Sequence, residues 1–295
     1  MAEPLPLTDI RCQLGEAPLW HDDLQRLFWF DILGRRLHHC AEDGSDAATI
    51  DLPTTASAGA IVDERTLLLA VQDGAALLDL DTGALQPFAA IEADDPDTRS
   101  NDCAMAPDGT FHLSTMGWHA QEGAGSLYHL APDGCVERLR TGITIGNSLC
   151  FPAPGAALFT DSPRQKLERH AGGVVDPEGE GTVIVDLTDT GAPDGEGYVC
   201  DGTIADAEGC IWTGHWDGGC VVRRDLNGRE MQRIELPTAR PTRCALGGAD
   251  LRTLYIATAI GDLADEPLQD DLAGRLFAVR VPVPGVAETR FRPAR

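Results

Sequence analysis

"LFWFDILGRRLHHCAEDG", residues 27–44, opens on an apolar run, breaks at Asp31 and Gly34, resumes as a second run and closes on an Asp-Gly turn. Apolar and aromatic enrichment with alternation marks half-buried strands, and the closing glycine supplies the positive φ of a hairpin turn. The unit returns as "LLLAVQDGAALLDLDTG" (67–83), "FHLSTMGWHAQEGAGSLYHLAPDG" (111–134) and "ALFTDSPRQKLERH" (157–170). It returns again as "CIWTGHWDGGCVVRRDLNG" (210–228) and "TLYIATAIGDLADEPLQDDLAGRLFAVRV" (253–281). Starts at 27, 67, 111, 157, 210 and 253 are separated by 40, 44, 46, 53 and 43 residues. A period of roughly 40–50 residues is that of a propeller blade. No long segment carries a helical period, so the expected fold is all-β, a six-bladed β-propeller occupying 1–295 as one domain. A two-sheet sandwich would leave the six regular intervals unexplained. The widest interval holds a Gly-, Asp- and Pro-rich connection at 171–197, within which "TVIVDL" (182–187) reads as an outer strand and the rest as a mobile loop. The N-terminal residues are expected to pair with the last unit, which closes the ring and removes a free edge.

Charge narrows the function classes. The chain has 295 residues, with 47 acidic against 23 basic side chains and a formal net charge of −24. Nucleic acid and anionic membrane surfaces both require a basic face, so neither is an expected partner. The N-terminus "MAEPLPLTDI" has no secretory pattern, and no run of about 18 apolar residues occurs. Nine cysteines, an odd number without a CxxC pair, read as reduced, half-buried strand residues. A cytoplasmic enzyme, monomeric or weakly oligomeric, is the simplest expectation.

Loops and inner-strand ends of all blades converge on a propeller's central channel, so polar residues beside the inner strands are the informative ones. Four places qualify: Glu16 in "LGEAPLW", Arg99, Asn101 and Asp102 in "RSNDCAM", Asn147 in "GITIGNSLCF" and Asp201 in "YVCDGTIADAEGCIW". Each lies a similar distance before "LFWF", "FHLS", "ALFT" or "CIWT", taken here as inner strands. Any one of them alone would be a turn residue or a cap. Together, two carboxylates and an amide oxygen form a hard-oxygen set suited to a divalent cation, with positions left for water and substrate. Asp31 and Asp161, at strand ends, read as structural acceptors for backbone groups, and His38–His39 as an exposed pair. There is no HExxH, Walker-A loop or GxSxG elbow; "GNSLC" (146–150) has Cys where the second Gly belongs.

"LGEAPLW", "RSNDCAMAPDGTFHLSTM", "GNSLCF", "CDGTIADAEGCIW" and "LPTARPTRCALGGADLRTLYIATA" resemble, in order along nearly the whole chain, the SMP-30/gluconolactonase/regucalcin family. The resemblance implies a six-bladed propeller with one divalent metal in the channel, and sugar lactonase activity. It implies that Glu16, Asn147 and Asp201 are metal ligands, that Asp201 also transfers protons, and that Arg99 and Asn101 bind substrate. Three positions depart from the family pattern: Cys200 stands where Pro often precedes the catalytic Asp, Ser148 follows Asn147 where Gly is common, and His119 lies near an often acidic substrate-binding position, with Glu122 a little beyond.

The implied reaction is metal-assisted opening of an aldonolactone, with Fe²⁺, Mn²⁺, Zn²⁺, Ca²⁺ or Mg²⁺ polarising the carbonyl. The sequence leaves open whether Asp201 takes the proton of the attacking water or mainly orients the nucleophile, since a bound dication weakens it as a base. The compact loop after Met116, and the lack of a Lys/Arg cluster beyond Arg99, suggest a small unphosphorylated substrate such as a xylono-, arabino- or gluconolactone. Two other readings stand beside it. An aryl-ester or phosphotriester hydrolase would have a more apolar channel mouth, and a non-catalytic binding propeller would expose a large apolar face.

Overall fold

The computed structural model describes residues 3–176, 179–188, 197–263 and 265–294. They form six four-stranded antiparallel sheets, and the innermost strands contact one another in cyclic order. The protein is a six-bladed β-propeller. Blade 1 runs outward from Gly15–His21 through Arg26–Asp31 and Arg36–Ala41 to Ala48–Asp51. Blades 2 to 5 repeat that order, with innermost strands Ala56–Asp63, Thr98–Met105, Gly146–Ala153 and Val199–Ala205. Blade 6 takes Pro241–Gly247, Thr253–Thr258 and Arg275–Arg280 from the end of the chain and its outer strand, Leu5–Arg11, from the beginning. That pairing joins the two ends of the ring as expected. Thr182–Asp186 is the outer strand of blade 4. Parts of the long connection, 177–178 and 189–196, lie outside the described residues, so its expected mobility does too.

One assignment shifts. "LFWF" and its equivalents are the second strands of their blades, and the innermost strands lie about ten residues earlier. The reason is steric. Six strands crowding one axis need small side chains, and Ala17, Ala58, Ala60, Cys103, Ser148 and Cys244 meet that need. The second strands are sandwiched between neighbouring sheets and are therefore apolar on both faces. Phe30, Leu68, Phe111, Leu158, Trp212 and Ile256 are all buried. His38 is likewise buried, against Trp29 at 5.3 Å between ring centres, rather than exposed. All nine cysteines are free; eight are buried and Cys135 is exposed.

Hydroxyls tie adjacent blades near the axis. Ser57 donates to Ser100 Oγ (2.8 Å), Ser114 to the Gly146 carbonyl (2.7 Å), Ser162 to the Cys200 carbonyl (2.8 Å) and Thr242 to the Gly15 carbonyl (2.6 Å). Asp31 accepts the backbone N–H groups of Gln13, Leu14 and Gly34, and Asp161 those of Thr144 and Ile145, the structural role expected for both. These bonds anchor the backbone just before the innermost strands of blades 1 and 4.

After blade 6 the C-terminal segment crosses one end of the channel. Ala207 N–H donates to the Pro284 carbonyl, Arg290 pairs with Asp22 and Asp23 at 2.6 Å, and Phe291 N–H donates to the Ile61 carbonyl at 2.9 Å. Ala294 N–H then reaches the Pro132 carbonyl in blade 3. Phe291 is fully buried, edge-on to Phe88 at 5.5 Å. Replacing it with alanine should destabilise the protein by about 3–5 kcal/mol, read from the denaturant midpoint at unchanged slope. An unchanged midpoint would show that the crossing segment contributes no packing energy.

Candidate metal and substrate site

Every innermost strand breaks register with its neighbour at the same height. The irregularities fall between Glu16 and Leu19, Ala56 and Ala58, Ser100 and Cys103, Asn147 and Cys150, Cys200 and Thr203, and Pro241 and Cys244. Each inserts one extra residue opposite the second strand, the mark of a β-bulge. In blades 1 and 4 the residue after the polar one is left-handed, Ala17 at φ 41° and Ser148 at φ 58°. A bulge re-aims side chains, so Glu16, Asn101, Asn147 and Asp201 leave their strands at one level and line one cavity of about 260 Å³. This cavity lies at the end of the channel opposite the C-terminal crossing, whose residues Val286–Thr289 line a second cavity with Leu19, Met105 and Phe151.

A hydrogen-bond chain sets the orientation of the amides. Asn147 Nδ2 donates to Ser162 Oγ (3.0 Å), which turns Asn147 Oδ1 toward the channel. That oxygen accepts one bond from Asn101 Nδ2 (3.0 Å) and retains a second lone pair. Asn101 Nδ2 also donates to the Gly146 carbonyl, and Asn101 Oδ1 accepts from Arg99 Nη1 at 2.8 Å.

The two carboxylates are held differently. Glu16 Oε2 accepts only the Ala17 N–H at 2.9 Å, and neither Glu16 nor Asp201 has a salt-bridge partner among the described residues. Burial, then repulsion from Asp201 and Asp102, pushes the Glu16 carboxyl well above its ordinary range. Burial and the Asp102 charge push Asp201 up to about 8. An unpaired buried carboxylate (Asp201), an unpaired half-buried one (Glu16) and a free amide lone pair on one cavity wall are costly alone and well suited to a hard divalent cation. The residues present fit such an ion.

The other expected residues separate. Asp102, on the far side of its bulge, accepts Leu149 N–H (2.8 Å) and Cys103 N–H (2.8 Å) and pairs with Arg243 Nη1. Arg243 also donates to the Cys103 carbonyl at 2.7 Å, and its stem passes over Gly202, where a Cβ would meet it at 2.5 Å. Arg99 is fully buried and is not among the residues lining the cavity; besides Asn101 it binds Asp262 Oδ2 at 2.5 Å. His119 does not reach the cavity either. A turn closed by Ala120 N–H on the Gly117 carbonyl (3.0 Å) leaves its ring exposed, and Ala120 lines the cavity instead; Glu122 is exposed too. Sequence reading did not single out Asp217, Asp262 and Asp265, which also line the cavity.

The profile of the SMP-30/gluconolactonase/LRE-like region matches residues 14–260. The chain belongs to this family. It is 35% identical over 292 residues to a pentonolactonase of Haloferax volcanii, with 96% of each chain covered. It is 33% identical over 293 residues to an L-arabinolactonase of Azospirillum brasilense, covering 97% of this chain and 94% of that one. A 6-deoxy-6-sulfogluconolactonase of Pseudomonas putida is 32% identical over 280 residues, with 94% of each covered. Among solved structures, a calcium-binding regucalcin of Agrobacterium tumefaciens superposes with a TM-score of 0.88 at 33% identity, covering 99% of this chain and 97% of that one. The matched span contains Glu16, Asn101, Asn147 and Asp201.

The raised carboxyls have a thermodynamic consequence. In cation-free protein the folded state holds protons that the unfolded chain, with an Asp pKa of about 3.9, has released. The associated stability is complete below about pH 4 and is lost as pH rises through the folded value of about 8. Chelator-treated Asp201→Asn should therefore melt about 2 °C or more above chelated wild type at pH 8, and equal to it near pH 4. A variant that melts lower at pH 8 would contradict the repulsion.

Proposed function

We propose that this protein is a divalent-metal-dependent sugar lactonase that opens a pentono- or hexonolactone to its aldonic acid. The observation that carries the reading is the convergence of Glu16, Asn147 and Asp201, from three blades, on one cavity that Asn101 also lines. The pentonolactonase, L-arabinolactonase and sulfogluconolactonase relatives support the substrate class. The calcium-binding relative supports a divalent ion.

Glu16, Asn147 and Asp201 hold the cation. When bound, it supplies Lewis-acid polarisation of the lactone carbonyl and stabilises charge developing on that oxygen. Asp201 accepts a proton from the attacking water as the new C–O bond forms, and returns it to the ring oxygen as the ring C–O bond breaks. Asn101, fixed between Arg99 and Asn147, positions the lactone by contact through the cavity wall. Arg99 acts through Asn101 and Asp262. No proton or atom is left over: one water is consumed and one hydroxyl and one carboxyl appear.

The cavity lining is mixed: Leu14, Met116, Ile145, Val199 and Trp216 would suit the aryl-ester alternative, whereas Asp217, Asp262 and Asp265 suit a polyhydroxylated substrate, and the sugar-lactonase relatives favour the latter. Among the described residues the exposed apolar side chains Leu5, Val136, Val183 and Met231 belong to four different blades.

The test is acid release from pentono- and hexonolactones by chelated protein and after return of Fe²⁺, Mn²⁺, Zn²⁺, Ca²⁺ or Mg²⁺. Turnover should vanish on chelation and return with one of these ions. Glu16→Gln and Asp201→Asn should lower kcat/KM by about 10²-fold or more. Hydrolysis that survives both chelation and Asp201→Asn would overturn the reading.

A further inference from the structure

Five of the residues lining the cavity are carboxylates: Glu16, Asp201, Asp217, Asp262 and Asp265; among the described residues that line it there is no Lys, Arg or His. Guanidinium groups do stand behind the wall, but each is already taken. Arg240 donates to Asp217 Oδ1 at 2.7 Å and to the Glu266 carbonyl at 2.8 Å, with its face on Trp216 at 5.1 Å. Arg243 is held by Asp102.

Arg99 is the informative case. Its Nη1 serves Ser100 O (3.0 Å) and Asn101 Oδ1 (2.8 Å), and its Nη2 serves Asp262 Oδ2 (2.5 Å). Its side chain is 1% exposed while that of Asp262 is 14% exposed, so the carboxylate lies on the solvent side of the pair. Trp118 covers the guanidinium at 6.0 Å, and the Nε has no partner. Asp262 is itself fixed, since its Oδ1 accepts Leu263 N–H at 2.7 Å. Its loop is pinned to blade 1, with Ile260 N–H on the Gln13 carbonyl at 2.9 Å.

We infer that Asp262 determines specificity at the channel mouth: by occupying Arg99 it reserves the site for uncharged polyhydroxylated lactones and turns away lactones bearing a phosphate or sulfonate. This rests on the lactonase reading. Rejection of the wrong substrate by a placed repulsive charge is a standard route to discrimination. A sugar hydroxyl can donate to the carboxylates of the mouth, whereas a second anion meets like charge and finds no free cation. With Asp262 neutralised, the Arg99 Nη2 that it held is freed to donate to an anion at that spot.

The experiment compares kcat/KM for gluconolactone with that for 6-phosphogluconolactone and 6-deoxy-6-sulfogluconolactone, in wild type, Asp262→Asn and Asp262→Ala. Melting temperatures identify any variant that fails to fold. In parallel, ligand-observed NMR titrates 1,5-anhydroglucitol and its 6-phosphate, which cannot react. Wild type should prefer the uncharged compound in both readouts, and Asp262→Asn should move the ratio toward the anions by about tenfold. Equal wild-type use of neutral and anionic lactones, or a parallel loss on both in the folded variants, would overturn the inference and leave the lactonase reading intact. If wild type turns over no lactone, the lactonase reading fails instead, and the titration still decides whether Asp262 selects against the anion.

Discussion

Six strands meeting at one axis cannot all continue flat, and each accommodates the crowding by inserting one residue at the same height. That shared bulge is the constraint on which the rest of the site depends. It sends two consecutive side chains of an innermost strand toward opposite ends of the channel, as Asn101 and Asp102 show. Asn101 faces the cavity, whereas Asp102 turns to Arg243. The hydroxyl bonds between blades and the C-terminal crossing keep the ring closed, so the level of the bulges is the same all round.

Electrostatics follows from that geometry. Asp102 raises the proton affinity of both Glu16 and Asp201, Asp201 raises that of Glu16, burial raises all three, and the Arg243 guanidinium opposes the shift at each. Three carboxylates against one guanidinium sum to −2, which a single divalent cation would balance. The outer mouth follows the same logic with a different outcome. There Asp262 and Asp217 neutralise Arg99 and Arg240, and no side-chain cation is left facing the cavity among the described residues.

Much of this was legible in the sequence, and for identifiable reasons. The repeat, the six blades and the pairing of Leu5–Arg11 with blade 6 follow from periodic strand and turn chemistry, which is local. The order of strands within a blade was not, because a doubly buried second strand such as Arg26–Asp31 is more apolar than the small-residue strand at the axis. The better signal was the run of small and polar residues, as in "ASAGAI" or "SNDCAM", about ten positions earlier. Glu16, Asn101, Asn147 and Asp201 could be singled out because they recur at equivalent positions. Asp262 lies 163 residues from Arg99 in a loop, "GDLADEP", whose acids look like any solvated turn. Only the fold brings it to the guanidinium. His119, placed by the resemblance near a substrate-binding position, lies on a turn that leaves its ring exposed and off the cavity lining.

In the proposed site the bulges of blades 1, 4 and 5 aim three oxygen donors at one cation. Anomalous diffraction from crystals grown with Mn²⁺ tests it most directly. The account predicts one strong peak, in contact with Glu16, Asn147 and Asp201 and abolished in Asp201→Asn. A channel without a peak, or one whose peak persists in that variant, would contradict it.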